Sequence, residues 1–290
     1  TLKGDVREFE APKTALEIAA SLSQALKKEA LAVKVDGEVQ GLTTVIDRDC
    51  ALEFLTFADE EGRRVYRHTA SHVMAQAVKA LWPEAKLAIG PAIENGFYYD
   101  FDCDTAFSTE DFKKIEKEME RIVKANYPIV RSEKPRAEAI AYMQEKGEPY
   151  KVELIEDLPE DAVISFYTQG DFTDLCAGPH LPSTGYVKAV KIMSVAGAYW
   201  RGSEKNKMLQ RLYATAFPKK ADLDAYVQQL EEAKKRDHRR LGRELDLFDV
   251  RDEGPGFPFF YPKGMILRNL LEDYWRKIHR EHGYEEIKTP

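Results

Sequence analysis

The chain has 290 residues, 43% of them hydrophobic and 32% charged, with a net charge of −7. That size suits two or three domains, and no stretch approaches the twenty apolar residues of a membrane-spanning helix. The acidic balance argues against a general nucleic-acid binder, and three widely spaced cysteines suit a reducing cytosol, not a disulfide scaffold.

The first residues lack the apolar run of a signal peptide and an initiator Met, so the chain is expected to begin inside the first strand of a longer product. Residues 1 to about 60 read as a small unit. VREFEA alternates like a strand, and Thr14 with Glu17 forms a capping box for a helix whose apolar side runs from Leu16 to Leu26. LAVKVDGEVQGL reads as two strands about an Asp36–Gly37 turn, and CALEFLTF as a third strand.

A second unit is expected over residues 61–217. RHTASHVMAQAVKALWP is a helix that Pro83 terminates, and FYYDF is a strand. A helix follows Ser108, with Phe112, Ile115, Met119, Ile122 and Val123 at helical spacing, and PRAEAIAYMQ is another. YKVELI, AVISFYTQG, GYVKAVKIMSVAGAYW and KMLQRLYATAF read as strands. Together these give an α+β domain with a sheet face free to form a cleft.

Residues 218–243 read as one polar linker helix. From Lys219 to Arg243 it holds eight Lys or Arg against five Asp or Glu, a local excess of three positive charges. Residues 244–290 add ELDLFDV, a Gly/Pro-rich segment, a helix from Met265 to Gly283 and a final strand, YEEIKTP, with too little chain to complete a domain.

Two short motifs carry the chemistry, HTASH with His68 and His72, and CAGPH with Cys176 and His180. Residues four apart share one face of a helix, so the two histidines point together. Gly178 and Pro179 make the second motif a turn that can curl Cys176 and His180 toward one point. Two imidazoles, a thiol and a third imidazole are the ligand types of a four-coordinate zinc site. The same set can instead hold a water for an imidazole or amine base. Asp174 can orient an imidazole or receive a polar substrate group, and Tyr98 and Tyr99 can flank an adenine ring. HxxxH without the intervening Glu is not the common metalloprotease signature, and there is no Walker lysine motif, dinucleotide fingerprint or paired CxxC.

HTASH with CAGPH and GPAIENGFYYDFD resembles the editing domain of the bacterial threonyl-tRNA synthetase family. Residues 1–60 resemble its ubiquitin-like (β-grasp) first domain. RDHRRLGRELDLF, PGFPFFYPKGMILRNLLEDYWR and HGYEEIKTP resemble the entry to its class II core and the first class II motif. The resemblance implies a cytoplasmic ligase that joins threonine to tRNA(Thr) with Mg-ATP and a zinc ion, as a homodimer. This chain would keep the proofreading hydrolysis of Ser-tRNA(Thr), without ligation. It implies that His68 and Lys151 position or deprotonate the attacking water. His72 and Asp174 would hold the serine and the terminal adenosine, Cys176 and His180 would complete the polar wall, and Tyr99 would lie beside the terminal nucleotide. By the same resemblance the editing site works with no metal or other cofactor. With too little chain to complete their core, residues beyond about 243 are expected to be poorly ordered by themselves and the chain mainly monomeric, and the charge and the short apolar runs leave neither DNA nor membrane as a partner. The rival reading is a freestanding zinc-dependent deacylase of the alanyl type, which shares both motifs.

Overall fold

The computed structural model describes residues 6–9 and 12–288. It is an α+β chain of small antiparallel sheets and helices, in two compact units, 1–223 and 224–290. The 223/224 boundary falls within the helix Lys220–Lys235.

In the first unit the Thr14–Glu17 capping box forms, with Thr14 N donating to Glu17 Oε2 at 2.7 Å and Glu17 N donating to Thr14 Oγ1 at 3.2 Å. The helix it opens, Ala15–Leu22, stops at Ser23, whose hydroxyl caps a second helix, Gln24–Glu29. A serine that captures a backbone N–H thus divides what the apolar spacing joined. The three expected strands pair in the order Glu38–Gln40, Ala32–Val35, Leu52–Leu55. The strand expected at VREFEA is not observed over residues 6–9, and residues 10 and 11 lie outside the described residues.

The helix Glu60–Leu81 runs through the middle of the first unit's largest core. Its Val73, Met74, Ala77 and Val78 pack with Phe97, Tyr99 and Phe101 of the strand Gly96–Asp102, and with Ile115, Met119 and Ile122 of the helix Thr109–Ala125. Leu31, Ala32 and Leu55 join the same core, so the N-terminal sheet shares it with the helix Glu60–Leu81. The strand Gly96–Asp102 is central in a five-stranded sheet, paired to Met208–Phe217 and to Lys86–Leu87, with Ala189–Tyr199 on the far side of Met208–Phe217. A separate three-stranded sheet sets Ser165–Gln169 between Ile129–Glu133 and Phe172–Leu175.

YKVELI is not a strand but lies within the helix Pro149–Glu156. The polar–apolar alternation of Lys151, Val152, Glu153 and Leu154 imitates a strand, yet Pro149 occupies the first helical turn, where proline fits best. Gly147, at φ +69°, separates this helix from the preceding one, Arg136–Glu145. The expected long strand GYVKAVKIMSVAGAYW begins with a 3-10 turn, Thr184–Tyr186, and becomes extended only at Ala189.

In the second unit the polar helix is broken. Lys220–Lys235 ends, and Asp237 caps a new helix, His238–Glu244, by accepting from Arg239 N at 2.9 Å. The hairpin Phe248–Val250 with Pro258–Phe260 precedes the helix Pro262–Glu281. YEEIKTP forms no regular structure over 284–288, and Thr289 and Pro290 lie outside the described residues.

Candidate active site

The helix Glu60–Leu81 places His68 and His72 one turn apart, with ring centroids 5.0 Å from each other. The loop after the strand Phe172–Leu175 brings His180 against both, at 4.5 Å from His68 and 4.3 Å from His72. Cys176 Sγ lies 2.9 Å from His68 Nε2 and 3.2 Å from His180 Nε2. His72 and His180 are buried, while His68 and Cys176 keep partial exposure, so the cluster opens on their side.

The surroundings assign the imidazole protons. Thr69 Oγ1 spends its single proton on Val65 O and accepts from Leu181 N, both at 3.0 Å. Its 3.1 Å contact with His180 Nδ1 therefore has the imidazole donating. His68 Nδ1 faces Gly90 O at 3.3 Å, an atom that can only accept. Both histidines thus direct a bare Nε2 at the sulfur. Burial pushes the Cys176 thiol up to about 12, so it keeps its proton at neutral pH. Burial, followed by the neighbouring imidazoles, also lowers His72 and His180 well below the ordinary histidine range, and burial lowers His68.

A second constellation adjoins the first. Lys151 Nζ lies 2.7 Å from Asp174 Oδ1 and 3.0 Å from Tyr99 Oη, and Tyr99 Oη donates to Asp174 Oδ2 at 2.5 Å. His72 Nδ1 stands 3.8 Å from the same Asp174 oxygen, joining the two groups. Burial, then the Asp174 carboxylate, holds the Tyr99 phenol well above its usual range, so it remains a neutral donor. Lys151 and Asp174 are both buried, and a buried charge persists only when paired in this way.

Sequence reasoning brought forward His68, His72, Tyr99, Lys151, Asp174, Cys176 and His180, and the fold gathers all seven. Tyr98 points elsewhere, under the Arg211 guanidinium at 3.8 Å. Three contributors were missed. Thr69 and Gly90 act through hydroxyl and carbonyl oxygens that no motif marks, although both lie within or beside quoted segments. Tyr167 packs edge-on to His180 at 4.5 Å, and only the fold brings its strand to the loop.

One expectation is overturned. A metal-free set of residues was expected here, with zinc confined to the rest of a synthetase. Instead His68, His72, Cys176 and His180 each offer one ligand atom, all within 4.8 Å of one another, in a cluster able to hold a metal ion. A tetrahedral zinc spaces its ligand atoms by about 3.3–3.8 Å, so small shifts suffice. The hydrogen bonds from His68 Nδ1 and His180 Nδ1 are the outer-shell contacts that orient ligating imidazoles.

Residues 164–213, which include Asp174, Cys176 and His180, match the family model described as threonyl and alanyl tRNA synthetase second additional domain. Residues 1–56 match the TGS domain. The chain is 66% identical to threonine–tRNA ligase of Acetivibrio thermocellus over 100% of its length and 46% of the relative's. The chain is similar to part of a threonine–tRNA ligase. The enzyme of that name from Clostridium acetobutylicum is 64% identical, again over 46% of its length, and that of Syntrophomonas wolfei 63% over 45%. The chain therefore spans about half the length of these relatives and corresponds to the TGS and editing-domain portion of the family. Among the described residues, no helix is long and apolar enough to cross a membrane.

Proposed function

We propose that this chain performs the proofreading hydrolysis of Ser-tRNA(Thr) within a cytoplasmic, homodimeric threonine–tRNA ligase. Residues 1–60 would form a ubiquitin-like (β-grasp) domain and 61–217 the editing domain, with 218–243 a linker and 244–290 the entry to a class II core. ATP-dependent ligation of threonine to tRNA(Thr) belongs to the whole protein. The observation that carries the reading is the convergence of Lys151, Asp174 and Tyr99 on the His68–His72–Cys176–His180 cluster, of which Asp174, Cys176 and His180 lie in the segment matched to the domain shared by threonyl and alanyl enzymes.

In this reading His68 Nε2, bare because Nδ1 faces Gly90 O, accepts a proton from the water that attacks the seryl carbonyl carbon, and returns it to the ribose oxygen as the ester C–O bond breaks and serine leaves. The Lys151 ammonium holds that water and the negative charge that develops on the carbonyl oxygen. Asp174 receives the substrate amino group, with His72 beside it, and Tyr99 lies against the terminal nucleotide. Selection rests on one methyl group. A synthetic site gains only about 1–3 kcal/mol from a methylene-sized difference, so a second site that excludes the threonine methyl supplies the rest.

The four-ligand cluster favours a second reading, a zinc-dependent deacylase. A bound zinc would supply Lewis-acid polarisation at this point. His68 Nε2 cannot both ligate an ion and take a proton, so the two readings exclude each other. Deacylation of Ser-tRNA(Thr) and Thr-tRNA(Thr), each with and without chelator, tests both. Faster loss of the seryl ester, unchanged by chelation, supports His68 as base, and activity that returns only with zinc supports the second reading. Equal hydrolysis of the two esters refutes the proofreading assignment.

A further inference from the structure

Lys151 is held from one turn upstream. Glu148 stands at the N-cap of the helix Pro149–Glu156, a position whose side chain ordinarily turns back to cap its own helix. Here only the backbone carbonyl does so, accepting from Lys151 N at 3.1 Å and Val152 N at 3.2 Å. The carboxylate reaches away. Oε2 accepts from Leu87 N at 2.6 Å, and Oε1 lies 2.8 Å from Lys79 Nζ. Lys79 belongs to the same helix as His68 and His72, and is fixed by Pro83 O and Ala85 O as well. Leu87 lies on the strand paired with Gly96–Asp102, which carries Tyr99.

Glu148 thus ties the lysine-bearing helix to both elements that build the rest of the site. Its side chain is 7% exposed. Burying a carboxylate is unfavourable before pairing, and an apolar residue would fill the space more cheaply, but it would not fix the helix against Lys79 and Leu87 N. Tyr150 adds a second tie, its hydroxyl donating to Asp102 Oδ2 at 2.8 Å.

We propose that Glu148 is a positioning residue that holds Lys151 between Tyr99 and Asp174. The assignment of Lys151 to catalysis rests on the proofreading reading above, whereas its placement by Glu148 does not. Glu148→Gln keeps an oxygen for Leu87 N and loses the charge toward Lys79. On Ser-tRNA(Thr) it should lower kcat about 10- to 100-fold, the scale expected of an ångström-sized misplacement, with KM within about two-fold. In a Lys151→Ala background the same substitution should cost nothing further, because it acts only through Lys151. A second readout needs no activity. Reductive methylation followed by mass spectrometry should show Lys151 labelled several-fold faster in Glu148→Gln at an unchanged melting temperature, and Glu148→Asp should restore part of the protection. If the wild-type chain fails to deacylate, the proofreading reading falls and the labelling alone judges Glu148. Unchanged labelling of Lys151, or an equal loss of rate from Glu148→Gln with and without Lys151, overturns the proposal.

Discussion

Thr69 Oγ1 lies 3.1 Å from His180 Nδ1, and this contact decides which nitrogen of His180 faces Cys176. The hydroxyl has only one proton, which goes to Val65 O. The imidazole must therefore donate, and Nε2 is left bare 3.2 Å from Cys176 Sγ.

Thr69→Val keeps the shape and removes that orientation. Added zinc should bind the wild-type chain once, at the four-residue cluster, and the valine variant about 10- to 100-fold more weakly, the range for loss of an outer-shell partner. Leu181 N and His180 Nδ1 lose their shared acceptor, which should cost about 1–3 kcal/mol of stability. Competition with a chromogenic chelator and urea denaturation measure the two effects. Cys176→Ala should abolish the tight zinc site.

The buried imidazoles predict acid sensitivity. Burial holds His72 and His180 well below the ordinary histidine range in the folded state. The unfolded chain therefore takes up protons first as pH falls, and the folded state loses stability below about pH 6.5 until the folded values are reached. Above that range their contribution is complete. Denaturation midpoints at pH 7.5 and pH 5.5 should differ, and replacing His180 with Asn should flatten the dependence even if it lowers the overall midpoint. An equally steep dependence in the variant would assign the acid sensitivity to other groups.

Gly178 has φ +74°, and a Cβ added there would sit 2.0 Å from Tyr167 Oη. Gly178→Ala must both strain the backbone and displace Tyr167, which backs His180. A loss of at least about 2 kcal/mol is expected, together with loss of zinc binding. Gly178→Ala combined with Tyr167→Phe should recover part of the stability by relieving the clash with the hydroxyl, leaving the backbone strain and the overlap with the ring carbons Cζ and Cε2, at 2.5 and 2.9 Å. Thermal denaturation of the four variants of the cycle checks this.

Lys151→Met should lower deacylation of Ser-tRNA(Thr) by about 10²- to 10³-fold, the usual range for loss of one group that stabilises a developing oxyanion. Asp174 would then be buried without its cation, so stability should fall by about 3–5 kcal/mol. Tyr99→Phe removes the donor to Asp174 Oδ2 but leaves the ion pair. It should cost less on both counts. Single-turnover kinetics and melting curves separate the chemical from the structural loss. A variant that loses stability but keeps its rate would remove Lys151 from the mechanism.

The sequence by itself determined the helices whose signals are local. The Thr14–Glu17 capping box and the apolar spacing of Phe112, Ile115, Met119 and Ile122 need only neighbours within a turn or two. It also determined which residue types meet in the site, because HTASH and CAGPH carry their chemistry in short windows. Only the tertiary structure decided the rest. Lys151 sits on a helix because Pro149 and Gly147 outweigh an alternating pattern that reads equally as a strand. Metal competence depends on the distance between Cys176 Sγ and two Nε2 atoms, one of them 108 residues away in the chain. The proton positions that make those nitrogens bare come from Gly90 O and Thr69 Oγ1, and the anchoring of Lys151 from Lys79 and Leu87 N. Backbone acceptors and buried ion pairs of this kind have no sequence signature, since their partners are selected by packing and not by spacing.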